Sequence, residues 1–223
     1  MDFMKWLNSL DELLYEVMSW LLFFPITLCH ASVHPLRTMA YIERQAALPE
    51  DQQYASLLSP PLFLALALLL AHAAATALGQ TDAIIANKHG LASLVTDNGT
   101  ALVVRVVVFA SFPLFLAARL IRGRGDLLDR RSLRQPFYAQ CYPSAVFAMG
   151  LSLGTSLALL HQPAARAFGQ ALIIISILYF CVVETRWFAS ARAIGHFRAF
   201  GSVSIGLLEG IAFMILIGFL FTR

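Results

Sequence analysis

Apolar and polar positions run along this chain in long blocks, and the block lengths are those of membrane helices. Across residues 2–24, Phe3, Trp6, Leu7, Leu10, Leu13, Leu14, Val17, Met18 and Leu21 recur at spacings of three and four. Asp2, Lys5, Ser9, Glu12, Glu16 and Ser19 fill the opposite face. This pattern predicts an amphipathic helix lying in, or half-inserted into, the membrane interface. Its polar face is acidic, so apolar burial or packing must hold it rather than anionic lipid. The alternative is a crossing over residues 17–33. Pro25 interrupts that run, and Glu16 and His34 bound it short of the about 20 apolar residues a crossing needs.

Residues 34–59 turn polar, with Arg37, Glu43, Arg44, Glu50 and Asp51. Pro35 and Pro49 bracket a short helix over 36–48. Ser59-Pro60-Pro61 then leads into the first clear span, 61–78, since a proline at a helix start lacks only an N–H that has no intrahelical partner there. A polar outer segment, 79–100, follows. Further spans are expected at 101–121, 144–160, 171–183 and 201–221, with a turn at 161–170. Glu184, Arg186 and Trp187 are expected to carry the fourth into the inner interface, where Trp and Arg are the anchors. The fold class is thus all-α, a polytopic transmembrane bundle of five spans, or six if residues 17–33 cross. It divides into an interfacial helix (1–33), a cytoplasmic segment (34–59) and a five-helix transmembrane domain (60–223).

Charge orients the bundle. Residues 119–134 hold six of the sixteen Lys and Arg residues. A cationic connection between apolar spans stays on the cytoplasmic side. With the N-terminus also inside, twelve Lys and Arg fall on inner segments and three (Lys88, Arg166, Arg223) on outer ones. Arg105 alone lies within a span. The expected location is a bacterial inner membrane, N-terminus cytoplasmic and C-terminus periplasmic.

Composition agrees. The 223 residues are 59% hydrophobic and 13% charged, about half the charged share of a soluble domain. Mean hydropathy is +0.72, more apolar surface than a soluble core can use. A net charge of +3 without a continuous basic face speaks against nucleic acid as a partner. Cys29, Cys141 and Cys181 form no CxxC pair and read as reduced apolar fillers.

Candidate chemistry is sparse. His72 and Glu209 fall near mid-membrane and Arg105 near the outer edge of its span. A charge at such depth costs about 2.5–3.5 kcal/mol or more, so these groups are expected to face partners or water. Glu209 paired with Arg105 or His72 is one candidate site; a neutral Glu209 bonded between helices is the plainer reading. The arginines Arg122, Arg124, Arg130, Arg131 and Arg134 are a candidate patch for lipid phosphate or an acidic partner, or a topology anchor only. Gly150 with Gly154, and Gly206 with Gly210, lie one turn apart and mark close helix packing, between spans three and five or against another subunit. Of six histidines only His30 and His34 have i, i+4 spacing, and nothing completes a metal site. No P-loop is present, and no carboxylates pair at an interface. No catalytic residue, metal or cofactor is therefore expected.

Phe24-Pro25, His34-Pro35-Leu36-Arg37-Thr38-Met39 and Ser59-Pro60-Pro61-Leu62-Phe63 carry a resemblance. With a polar N-terminal segment, a proline-led first span and short loops, the layout resembles the Yip-domain membrane proteins and the small bacterial proteins described as permeases. The Asp-Leu-x-Gly-Pro lead-in of eukaryotic members is replaced here by Leu-Ser-Pro-Pro. The resemblance implies a five-span helical fold and transfers no catalytic residue. Two functions are expected to compete. One is a non-enzymatic scaffold or accessory subunit binding lipid, a membrane-protein partner or its own copies. The other is a small permease with a polar cavity around Glu209, His72 and Arg105.

Overall fold

The structure is a computed structural model that describes residues 2–45, 48–49, 53–54, 56–80 and 98–222. Seven helices and no strands occur among them. They are α1 (Asp2–Val33), α2 (Pro35–Gln45), α3 (Pro60–Ala77), α4 (Asn98–Arg124), α5 (Arg130–Ala158), α6 (Pro163–Ala191) and α7 (His196–Thr222). Most of the predicted outer segment, residues 81–97 with Lys88, lies outside the described residues, as do Glu50, Asp51 and Arg223.

Five helices are long and apolar enough to cross a membrane: Leu10–Val33 of α1, all of α3, Leu102–Arg124 of α4, all of α6, and His196–Leu220 of α7. The all-α class and the number five match the sequence reading, but the membership differs. Helix α1 continues through Pro25 as one element, and at about 1.5 Å per residue its apolar part is about 36 Å long, enough for a hydrocarbon layer of about 30 Å. Helix α5, which carries the expected span 144–160, falls short of that apolar composition. The physical reason is its position. It runs up the middle of the bundle against α2, α3, α4 and α6. Facing protein rather than lipid, it needs small and polar residues (Gly150, Gly154, Ser144, Ser156) more than leucines.

Three more local expectations are corrected. The helix expected from 144 begins at Arg130 and runs through both Pro136 and Pro143. The expected turn at 161–170 is mostly helix, because Pro163 sits at the first position of α6. The basic loop shrinks to residues 125–129, since its arginines lie on the last turns of α4 and the first of α5. Helix α5 starts there because Asp129 and Ser132 form a reciprocal cap: Ser132 N–H donates to Asp129 Oδ1 at 2.7 Å, and Asp129 N–H to Ser132 Oγ at 3.0 Å. As expected, α3 is led in by Pro60 and Pro61.

The core joins the polar N-terminal segment to the bundle. Phe24, Phe63 and Tyr142 pack in a row of tilted rings with centroids 5.4 and 5.5 Å apart. Tyr142 donates its hydroxyl to the Leu58 carbonyl at 2.6 Å, and Tyr179 donates to the Ala31 carbonyl at 2.7 Å. Buried backbone polar groups at the chain's return into the bundle are thus satisfied. Outward faces stay apolar: Ile174, Ile175, Leu178 and Val182 on α6, and Leu208 and Ile215 on α7, are exposed. Such a surface is disfavoured in water and suited to lipid, so this is the make-up of an integral membrane protein.

Candidate functional site

The three intramembrane residues singled out from sequence do not form one site. Glu209 on α7 accepts a 2.8 Å hydrogen bond from Arg119 Nη1, an ion pair with neither Arg105 nor His72. Glycines explain the choice. A Cβ on Gly206 would meet Leu116 at 2.9 Å, and one on Gly210 would meet Phe112 at 2.8 Å. Helix α7 therefore lies tight on the second half of α4, and Glu209 is held level with Arg119. Arg105 is fourteen residues earlier on α4, about 21 Å along the axis. His72 is buried on α3, whose main neighbour is α5. Both groups of the ion pair are partly exposed.

The glycine pairs also part company. Gly150 faces Ser176 of α6, and Gly154 approaches the Gly169 backbone and Ile173 of the same helix. Gly206 and Gly210 serve α4. Spans three and five do not use these faces to meet each other, and the faces are not open for another subunit, because each is already filled within the bundle.

The arginine-rich end is built by helix ends. Arg122 and Arg124 close α4, where cations complement the negative end of the dipole. Arg124 is anchored by the Ala191 carbonyl at 3.3 Å and lies 3.8 Å from Glu43. Arg130 and Arg131 open α5, the end that repels cations, and its first turn holds no acid. Arg134 lies over the Tyr138 ring, 5.5 Å from its centroid. Asp129 offsets some of this charge. Its bonds from Ser132 hold the carboxyl below the usual carboxylate range, so it stays ionised.

Two open clefts share Arg131, Arg134 and Tyr138. The larger, about 700 Å³, also has Leu114, Arg130 and Phe137 in its walls. The smaller, about 230 Å³, adds Tyr54 and Gln135. Burial pushes the Tyr54 hydroxyl up from its ordinary value, so it remains a phenol able to donate. No carboxylate is among the described residues lining either cleft. Beside them, Leu127 and Leu128 project from the loop, Leu127 at 87% exposure. Guanidinium groups over an aromatic and aliphatic floor, next to two exposed leucines, can hold an anionic headgroup and the start of its chain.

One polar cluster was missed from sequence. Glu184 is fully buried on α6 beside Gln140 of α5, itself fully buried. The Glu184 carboxylate oxygens, both Gln140 side-chain atoms and the Ser144 hydroxyl make no geometric hydrogen bond. Glu184, expected in the interface, and Trp187, expected as an anchor there, are thus corrected to buried residues of the bundle. The signal was present: Gly169, Ser176, Phe180, Glu184 and Trp187 follow one another at helical spacing on a single face. Ending the apolar run at Val183 concealed it. Among the described residues no three His, Cys, Asp or Glu side chains converge on a point. No protein-family model, curated protein or solved structure matches this chain.

Proposed function

We propose that this chain is a non-enzymatic membrane scaffold or accessory subunit that engages anionic phospholipid through Arg130, Arg131 and Arg134, with Arg122 and Arg124 at the rim. The observation that carries the reading is the pair of clefts in which arginines at the positive end of α5 share the walls with Phe137 and Tyr138, Arg134 lying over the Tyr138 ring. Cations placed against a helix dipole favour a bound anion, and the apolar floor favours one attached to a lipid. The exposed Leu127 and Leu128 support the same reading, since they suit the acyl boundary. In this proposal the arginine-rich end faces the cytosol of a bacterial cell and the C-terminus the opposite side.

Spin-labelled phosphatidylglycerol in nanodiscs tests it. The protein should immobilise more of that lipid than of spin-labelled phosphatidylcholine, and the excess should fall with salt. Arg131→Gln with Arg134→Gln should remove most of the excess. An excess unchanged in that double variant sinks the proposal.

A second reading, a small permease, draws support from the Glu184, Gln140 and Ser144 cluster. Buried ionisable groups inside a bundle are costly and mark polar pathways by default. Its polar centre would then be Glu184 rather than Glu209, His72 and Arg105. Water accessibility of a cysteine placed at Ser144 separates the readings: modification from the aqueous phase favours the permease.

A further inference from the structure

The junction of α1 and α2 forms another recess, of about 360 Å³, with His30, His34, Arg37, Tyr41 and Ser56 in its walls. It lies across α2 from the arginine clefts. Tyr41 lines this recess, and its neighbour Ile42 lines the smaller cleft. The chemistry of its walls is one-sided. Arg37 is a fixed cation, and no carboxylate is among the described residues lining it.

The junction is held in place by its own bonds. The helical ladder runs through His34, whose N–H donates to the His30 carbonyl at 2.9 Å. The Thr38 hydroxyl bonds the His30 and His34 carbonyls at 3.2 and 3.1 Å. His30 Nδ1 donates to the Ile26 carbonyl at 2.9 Å, which fixes the ring in the wall of the recess. Tyr41 and Ser56 share one hydrogen bond of 3.0 Å, so one of their two O–H groups remains to donate elsewhere. Helix α2 starts at Pro35 with no acid in its first turn, so no carboxylate there offsets Arg37.

We infer that this recess is a binding site for one phosphate group, bound by Arg37, the Tyr41–Ser56 hydroxyl pair and the His34 ring. The fixed charge of Arg37 argues against a metal cation on the two histidines, because like charges repel at that range. A guanidinium matches the oxygens of a phosphate. The phosphate can belong to a soluble ester or to a lipid headgroup. The site is separate from the arginine clefts, so either can fail alone.

The full chain in phosphatidylcholine nanodiscs is titrated calorimetrically with inorganic phosphate and with glycerol phosphate, ionic strength held constant with chloride. In a second arm, phosphatidylglycerol is added and bound lipids are counted by native mass spectrometry. Arg37→Gln should weaken the soluble probes at least tenfold or remove one bound phosphatidylglycerol, whichever arm shows binding. Arg37→Lys should retain part of it, and Arg166→Gln, at an exposed position outside both sites, should leave it unchanged. Binding of the soluble probes assigns the phosphate to an ester; binding in the lipid arm alone assigns it to a headgroup. Arg37 is exposed, so its replacement leaves the core intact. The inference is overturned if neither arm shows binding, if Arg37→Gln binds as the unaltered protein does, or if chloride competes equally.

Discussion

Gly169→Ala adds one methyl group where the bundle is tightest. A Cβ there would lie 2.5 Å from the Ala158 nitrogen, 2.6 Å from the Gly154 oxygen and 2.9 Å from the Leu157 carbonyl carbon. Ordinary contact begins near 3.4 Å. Because all three neighbours are backbone, α6 and α5 must separate by about 0.9 Å rather than repack a side chain. Overpacking of this kind costs roughly 1–3 kcal/mol, and the rigid neighbours put this site at the upper end. Replacing a helical glycine recovers about 1 kcal/mol. The net expectation is a loss of about 2 kcal/mol. On the scaling of soluble chains this size, that is a fall of roughly 4–8 °C in Tm. Gly201→Ala is the control, since a Cβ at Gly201 meets nothing within 4 Å. It should be neutral or stabilising by up to about 1 kcal/mol. Thermal unfolding in a mild detergent, followed by circular dichroism, measures both. If Gly169→Ala is as stable as Gly201→Ala, the close α5–α6 contact is wrong.

Other perturbations reach different parts of the bundle. Glu184→Gln should fold with an unchanged or higher monodisperse yield in size-exclusion chromatography, because neither carboxylate oxygen makes a hydrogen bond that the amide would lose; collapse of the yield would reveal an essential partner. A double-mutant cycle on Arg119 and Glu209 should give a coupling of about 0.5–1 kcal/mol, modest because both groups are partly exposed, while Arg105 and Glu209 should show none. Asp129 gives a pH dependence. Its folded pKa is lowered by the cap, so its contribution is present above the unfolded value of 3.8 and fades as pH falls through the folded one. Protection of the Ser132 amide, its exchange relative to the intrinsic rate at each pH, should therefore fall below about pH 4 in the unaltered protein and not in Asp129→Asn.

Particular residues show which parts of the architecture were legible. Ser59-Pro60-Pro61 marked the start of α3 because proline tolerates a first turn wherever the chain then goes. The arginines marked one end of the bundle because their charge cannot be hidden in lipid. Asp129 and Ser132 show what was overlooked: a short-range cap that turns most of a predicted loop into helix. Partnership was harder to read. Gly150, Gly154, Gly206 and Gly210 were identifiable as contact points, but a glycine carries no label for the helix it admits. Glu209 met Arg119 rather than Arg105 because the register of α4 on α7 is set by Phe112 and Leu116, whose packing no local pattern encodes. Helix α5 was expected as a span but not as the centre of the bundle, for a related reason. A central helix sheltered by four neighbours loses the apolar signature that reveals a lipid-facing one. The same shelter hid Glu184 and Gln140, which hydropathy placed at a watery edge.

The side of the membrane on which the arginine-rich end lies is open to direct measurement. Leu127→Cys, at the most exposed leucine of the loop, is introduced after Cys29, Cys141 and Cys181 are replaced by serine or alanine. A membrane-impermeant maleimide should label it in inside-out vesicles and leave it untouched in intact spheroplasts. Labelling in spheroplasts would place these guanidinium groups away from the anionic inner leaflet and contradict the account.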